Sequence, residues 1–279
     1  MAILSVDLAY RSWADLGVVV LDRVQLEQGN REQASSIASR GAGPIGCEIL
    51  SLMDAGDGQR TVDANLLAGR MNHLCNTRGI RVIMLDGPQA WKSLTNGLEH
   101  SRVSERQLNT AAKTGLPGMV KPVTYRAFAE FCLDVYDALC RRGWKRLETK
   151  DQPGSPQDRV LVESYPHAAW KALGLKPLPS KKRARVSDLA EAYAALNALI
   201  PIRTNRPPNH DQLQAIVGGL PGLALEEHNA AGTRIVGNPP RREGGHWREG
   251  FIVLPVVAVK SLGLRWLPPA VGPDGAWAP

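Results

Sequence analysis

The sequence predicts an α/β protein built on a mixed central sheet. Two observations lead there. Three short β-branched runs follow one another with only polar or glycine-containing links before any helical pattern appears. A fourth run comes directly after the first helical pattern. The first three runs can form an antiparallel meander, and the fourth can return parallel to one of them by a right-handed crossover.

The first run is Ile3 to Tyr10, I-L-S-V-D-L-A-Y, with Asp7 embedded between Val6 and Leu8. An apolar strand of this kind belongs at the centre of a sheet. An ionised carboxylate there costs several kcal/mol unless something pairs with it. The second run is Asp15 to Val24, reached through Arg11–Ala14, a link short enough for a hairpin. Residues 25–44 read as a loop ending at Gly41-Ala42-Gly43-Pro44, Ile45 to Met53 reads as the third strand, and Asp54 to Gly58 as a turn cluster.

Thr61 to Arg78 reads as a helix, capped by Thr61 and stopped by Gly79. Ile80 to Leu85 is the fourth strand, closing at Asp86-Gly87-Pro88. Residues 91–124 are polar and irregular, with a short helix over Val103 to Lys113, and Tyr125 to Arg141 is an amphipathic helix. Lys150 to Gln157 is a Pro/Gly linker, and Arg159 to Glu163 is the fifth strand. Helices follow over His167–Leu173, Asp188–Leu199 and His210–Leu220, then a last strand over Glu249–Val259 and a frayed tail from Leu267. The expected organisation is one domain over 1–260, with a helical insertion at about 91–150, and a Pro/Gly-rich tail over 261–279.

The 279 residues are 43% hydrophobic and 22% charged, which allows a sizeable core. No apolar run approaches the ~18–20 residues of a membrane span. The N-terminus enters a strand at once, without the basic and apolar regions of a signal peptide, so the expectation is a soluble, cytoplasmic protein. Cys47, Cys75, Cys132 and Cys140 form no Cys-x-x-Cys pair, which argues against zinc or redox chemistry. A formal net charge of +7 favours an anionic partner such as nucleic acid.

Four acids stand at element ends or within strands: Asp7 in the first strand, Asp86 closing the fourth, Glu163 closing the fifth and Asp211 opening the late helix. If the first, fourth and fifth strands are adjacent and parallel, these acids converge at the carboxyl edge of the sheet, where α/β proteins place their ligands. Asp211, Ala215 and Gly218 share one helix face, and two of the three are small, which lets the helix lie close on the sheet. Carboxylates without a cysteine suit a hard cation, Mg²⁺ or Mn²⁺, and two such ions can clamp the attacking and leaving oxygens of a phosphodiester. Each acid also has a plainer reading. Asp86-Gly87 is a common turn pair. Asp211 is a good helix-terminal carboxylate. Glu163 can form an ion pair with a nearby Lys or Arg. Asp7 is the hardest to explain in such terms.

Five segments resemble the domain-of-unknown-function family 429, the predicted ribonuclease-H-like, RuvC-like nucleases: S-V-D-L-A (5–9), V-I-M-L-D-G-P (82–88), R-V-S-E-R-Q-L (102–108), V-L-V-E-S-Y-P-H-A-A-W (160–170) with the trailing P-L-P-S-K-K (177–182), and N-H-D-Q-L-Q-A (209–215). They occur in the family's order. The resemblance implies a ribonuclease-H-like fold with a mixed five-stranded sheet, helices on both faces and an added C-terminal strand. It implies a metal site of Asp7, Asp86 and Asp211, with Glu163 as a further member. The family often shows a second acid on the last helix where this chain has Gln214, so one metal or two stays open.

Lys181, Arg102 and Arg106 are candidates for substrate phosphate. His210 adjoins Asp211 and can assist a proton transfer or bind the metal. Trp91 and Trp170 suit base stacking or, more simply, the core. No P-loop, dinucleotide-binding turn, nucleophile elbow or H-E-x-x-H helix is present. The reading is a nuclease that hydrolyses nucleic-acid phosphodiesters with carboxylate-bound Mg²⁺ or Mn²⁺. The alternatives are a non-catalytic nucleic-acid-binding or scaffold protein on the same fold, and a small-nucleotide phosphohydrolase.

Overall fold

Strand β1 (Ala2–Asp7) pairs antiparallel with β2 (Gly17–Arg23), and β2 pairs antiparallel with β3 (Ile45–Leu50), so the expected meander forms in the computed structural model. The structure describes residues 1–24, 43–54, 57, 61–150 and 158–256. Most of the 25–44 loop, part of the turn after Asp54, most of the Lys150–Gln157 linker and the tail from Leu267 lie outside the described residues.

Helix α1 (Ala64–Arg78) begins later than expected because Asp63, rather than Thr61, accepts the Leu66 N–H at 2.7 Å. It stops at Gly79, whose φ of 65° is the left-handed position a glycine fills without strain. Its buried side, Leu67, Ala68, Met71 and Cys75, faces the sheet. Strand β4 (Val82–Asp86) then returns parallel to β1.

The next stretch holds α2 (Val103–Leu108), a small hairpin of β5 (Lys113–Thr114) and β6 (Val120–Lys121), then α3 (Arg126–Cys140) and β7 (Lys145–Arg146). The helix expected to reach Lys113 ends at Leu108, where Asn109 turns left-handed and the Glu105 carboxylate takes the Thr114 N–H. Strand β8 (Val160–Ser164) runs parallel to β4. After it come α4 (Pro166–Ala172), α5 (Val186–Leu199) and β9 (Ile202–Thr204), which pairs parallel with β3. Helix α6 (His210–Glu226) runs six residues past the expected end at Leu220 and contains Pro221. The chain finishes with β10 (Thr233–Val236), a hairpin of β11 (Arg241–Glu243) and β12 (His246–Arg248), and β13 (Ile252–Pro255). β13 begins later than the expected Glu249 because Glu249 and Gly250 have φ of 59° and 128°.

The sheet order is β10-β13-β8-β4-β1-β2-β3-β9, with β7 added on β8. It is mixed, as expected, and wider than five strands. The added strands are short and partly polar, such as Ile202-Arg203-Thr204, and are fixed by pairing rather than by pattern.

Period-two alternation divides the core. Ile3, Val19, Leu21, Met84 and Val162 meet α4 and α6 on one face. Leu4, Val6, Val18, Ile83, Leu85 and Leu161 meet α1 and α3 on the other. α6 lies directly on β1, β2 and β4. A Cβ on Gly219 would come 2.7 Å from that of Ser5, and one on Gly222 would come 2.7 Å from Met84 Cγ. The Ser5 hydroxyl donates to the Ala215 carbonyl at 2.7 Å. Among the described residues no helix is long and apolar enough to cross a membrane.

Candidate metal and phosphate site

Asp7 and Asp86 are the last residues of β1 and β4 and stand side by side in the parallel register. By alternation Asp7 shares the α6 face with Ile3 and Ser5, and Asp86 shares it with Val82 and Met84. Both are half-buried, and their carboxyl groups hydrogen-bond to each other. Burial, and then the charges of Asp86 and Asp211, hold the Asp7 carboxyl well above the usual carboxylate range. Burial, with a smaller contribution from Glu163, pushes Asp86 up to about 7 against the hydrogen bond from Asp7. Two adjacent carboxylates of this kind share a proton until a cation replaces it.

Asp211 sits in the first turn of α6 and is 6% exposed. Gly17, the register partner of Asp7, makes its approach possible: a Cβ there would lie 2.2 Å from the Asp211 carbonyl oxygen. The Asp211 carboxylate accepts from Lys181 Nζ and lies 3.0 Å from His210 Nδ1. The other His210 nitrogen is 3.0 Å from the Pro179 carbonyl. Lys181 also donates to Asp15 at 2.6 Å. Burial alone would raise the Asp211 carboxyl, but the hydrogen bonds from His210 and Lys181 outweigh it and hold it low. Burial works against the Lys181 ammonium, and its bonds to Asp15 and Asp211 reverse that effect, so Lys181 is held charged.

Glu163 makes its hydrogen bonds away from these three, although its charge still reaches Asp86. In β8 the residues on the α6 face are Val160, Val162 and Ser164, so Glu163 points to the α1/α3 face with Leu161. It is 4% exposed and bound in a fork by Arg102, at 2.7 and 2.6 Å, with the Gln89 N–H at 3.1 Å. The ion-pair reading of Glu163 is the one its surroundings match. Arg102 is 1% exposed and also donates to Glu105. Burial disfavours its charge, but Glu163 and Glu105 more than restore it. Arg102 is therefore placed to hold two carboxylates, with its Nε, Nη1 and Nη2 bonded to Glu163, Glu105 and Thr114 rather than turned to solvent as the expected phosphate contact requires. Arg106, one turn along α2, is exposed. Trp170 and Trp91 are core residues, with Trp170 Nε1 donating to Gln214 at 2.9 Å.

Three acids at one sheet edge fit a hard divalent cation in the kind of donor they offer. Among the described residues no group of three or more His, Cys, Asp or Glu side chains is drawn together as a ready metal cluster. The surrounding contacts account for this, because Asp211 is turned to Lys181 and His210 while Asp7 and Asp86 hold each other.

Sequence reasoning missed several residues. Asp15 shares Lys181 with Asp211, and only its place before β2 hinted at that. Ser164 stands beside Asp86, which the alternation of V-L-V-E-S signals once the register is known. Glu249, fully buried, accepts the N–H groups of Ser93 and Val103 at 2.9 Å each and Asn96 Nδ2 at 2.6 Å, tying the loop after β4 to the start of β13. No sequence signal marks it.

No protein-family model and no curated protein matches the chain. Among solved structures the RuvC of Thermus thermophilus is similar with a TM-score of 0.33 and 12% identity, over 78% of this chain and 90% of that one. A likeness of that size adds nothing to the geometry above.

Proposed function

We propose that this chain is a ribonuclease-H-like nuclease, related to the domain-of-unknown-function family 429, that hydrolyses nucleic-acid phosphodiesters with Mg²⁺ or Mn²⁺. The observation that carries the reading is the Asp7–Asp86 pair, two carboxyls in register at the carboxyl ends of adjacent parallel strands, both pushed by burial above the usual carboxylate range. The last acid, Asp211, comes from a late helix laid on those strands, the arrangement the family resemblance implies. Asp7, Asp86 and Asp211 would hold the cation. When bound, it would stabilise the charge developing at phosphorus and lower the pKa of an attacking water.

The chain's own residues have separable tasks. Asp7 and Asp86 give up their shared proton. His210 orients the Asp211 carboxylate. Lys181, half-exposed, is free to exchange Asp211 or Asp15 for a substrate phosphate oxygen, which it would meet as a point charge. Arg106 offers a second, outer contact. Glu163 acts through Arg102, fixing the loop beside Asp86 rather than contacting the cation.

The test is cleavage of single-stranded, duplex and branched DNA and RNA in Mn²⁺, with Asp7→Asn as control. Cutting that Asp7→Asn abolishes supports the reading. Equal inertness of both proteins, with salt-sensitive binding, favours the binding or scaffold protein. Activity on mononucleotides alone favours the phosphohydrolase.

A further inference from the structure

A cleft of about 190 Å³ opens beside Asp86, on the β8 side of the acids. It is lined by Pro88, Tyr125, Phe128 and Tyr165 together with the Arg102–Glu105–Glu163 cluster. Ligand pockets for drug-sized molecules run ~300–1,000 Å³, so this one suits a single ring system. Its polar groups are engaged among themselves. Arg102 serves Glu163 and Glu105, the Thr114 hydroxyl serves Glu105, and the Thr110 hydroxyl donates to the Ala112 carbonyl. The Ala111 N–H donates to the Tyr165 hydroxyl. What the cleft offers an occupant is therefore mainly aromatic and apolar surface, with Tyr125 42% exposed and with Asp86 and Ser164 as the polar residues at the edge shared with the acids.

The opposite side of the acids is basic. Across β4 and β1 from the cleft lies Lys181, followed by exposed Lys182, Arg183 and Arg185. An aromatic slot, then two carboxyls, then a cationic ridge is the sequence of surfaces a nucleotide strand presents in reverse: base, scissile phosphate, onward backbone.

We infer that the cleft lined by Tyr125, Phe128 and Tyr165 receives one unpaired base of a nucleic-acid strand whose backbone crosses Asp86 and Asp7 toward Lys181 and the 182–185 ridge. The inference rests on the nuclease reading and narrows it to single-stranded or locally unpaired substrates. A paired base cannot enter, because its edge and both faces are occupied within a duplex. Recognition is by stacking, so it tolerates any base.

The experiment uses full-length protein and DNA and RNA oligonucleotides carrying 2-aminopurine at successive positions, first in EDTA to read binding and then in Mn²⁺ to read cutting. The expected result is a fluorescence change at one position of a single strand and none in the matched duplex, with binding of the single strand weakened about ten-fold by Tyr125→Ala. Because Tyr125 is exposed, that variant keeps its fold, which a thermal melt verifies, and Phe128→Leu gives a second, milder change. A difference between the DNA and RNA arms assigns the sugar.

Cutting of duplex and single strand alike, with 2-aminopurine unmoved and Tyr125→Ala indistinguishable from wild type, overturns the cleft and leaves the nuclease standing. A position-specific fluorescence change without any cutting upholds the cleft and overturns the nuclease. Absence of both overturns both.

Discussion

In the parallel register of β4 and β8, Asp86 stands opposite Ser164, and Glu163 stands opposite Leu85. One residue of register therefore decides which of two neighbouring polar side chains joins Asp7 and Asp86. Glu163 is left on the other face, in the fork of Arg102.

That placement separates two substitutions that sequence alone would group together. Glu163→Gln removes one of the two carboxylate charges that hold the buried Arg102 guanidinium, and breaking a buried pair in this way costs ~3–5 kcal/mol. For a domain of this size that is on the order of 10 °C in thermal midpoint. Binding of Mn²⁺ by the folded protein should be nearly unchanged. Asp86→Asn should do the reverse, raising or holding the midpoint without cation and removing most Mn²⁺ binding. Melting curves and calorimetric titration of both variants check this. Equal loss of Mn²⁺ affinity in the two would return Glu163 to the metal shell.

The raised carboxyls give a pH dependence with a definite sign. Asp86 titrates near 4 in the unfolded chain and about 7 when folded. Between those values the folded state binds more protons than the unfolded state, so stability falls as pH rises through that window. Asp7, also raised, acts in the same direction. In EDTA the wild-type midpoint should therefore fall between about pH 4 and pH 7 relative to Asp86→Asn. Added Mn²⁺ should reverse the trend above about pH 7, where the ionised pair can accept it. Parallel midpoint curves for wild type and variant would contradict the shared-proton description.

The elements that position the site were largely legible. A central strand interrupted by Asp7, a helix stopped by Gly79 and a small-residue face on the last helix all follow from local chemistry. The close seat of α6 was signalled by Ala215 and Gly218. Facing and register were not legible at β8. Val160, Leu161 and Val162 are all apolar, as in strands buried on both faces, so the run gives no indication of which side its final polar residues take. Lys181 reaching both Asp15 and Asp211 was hidden for another reason: 166 residues separate Lys181 from Asp15, and no pattern encodes such a contact.

Lys181 makes the third prediction. Its ammonium now offsets the charge of Asp211. Lys181→Met removes that charge and keeps most of the stem, so Mn²⁺ should bind more tightly. Because Lys181 is half-exposed, the gain should be modest, about two- to five-fold. Oligonucleotide binding in EDTA should weaken, with a shallower dependence on salt. Cleavage should fall even though the cation binds better. A variant in which affinity for Mn²⁺ and cleavage fall together would instead make Lys181 a support for the Asp211 carboxylate alone.

Gly17 tests whether the seat of α6 is needed for the site. A Cβ at this position would come within 2.2 Å of the Asp211 carbonyl oxygen and 2.9 Å of the Gln212 nitrogen, both backbone atoms that no rotamer change can move. Gly17→Ala therefore has to lift the first turn of α6 off β1 and β2, while Ser5, Gly219 and Gly222 keep the rest of the helix down. Overpacking of this kind costs ~1–3 kcal/mol, small enough for the protein to remain folded. Displacement of Asp211 from Asp7 should cost far more in Mn²⁺ affinity and cleavage than the melt implies. The same substitution at Gly69, where a Cβ would meet only an Arg142 side-chain nitrogen at 3.7 Å, should leave cation binding alone. If Gly17→Ala lowers the midpoint and yet binds Mn²⁺ as wild type does, Asp211 is a helix-terminal carboxylate and not part of the metal site.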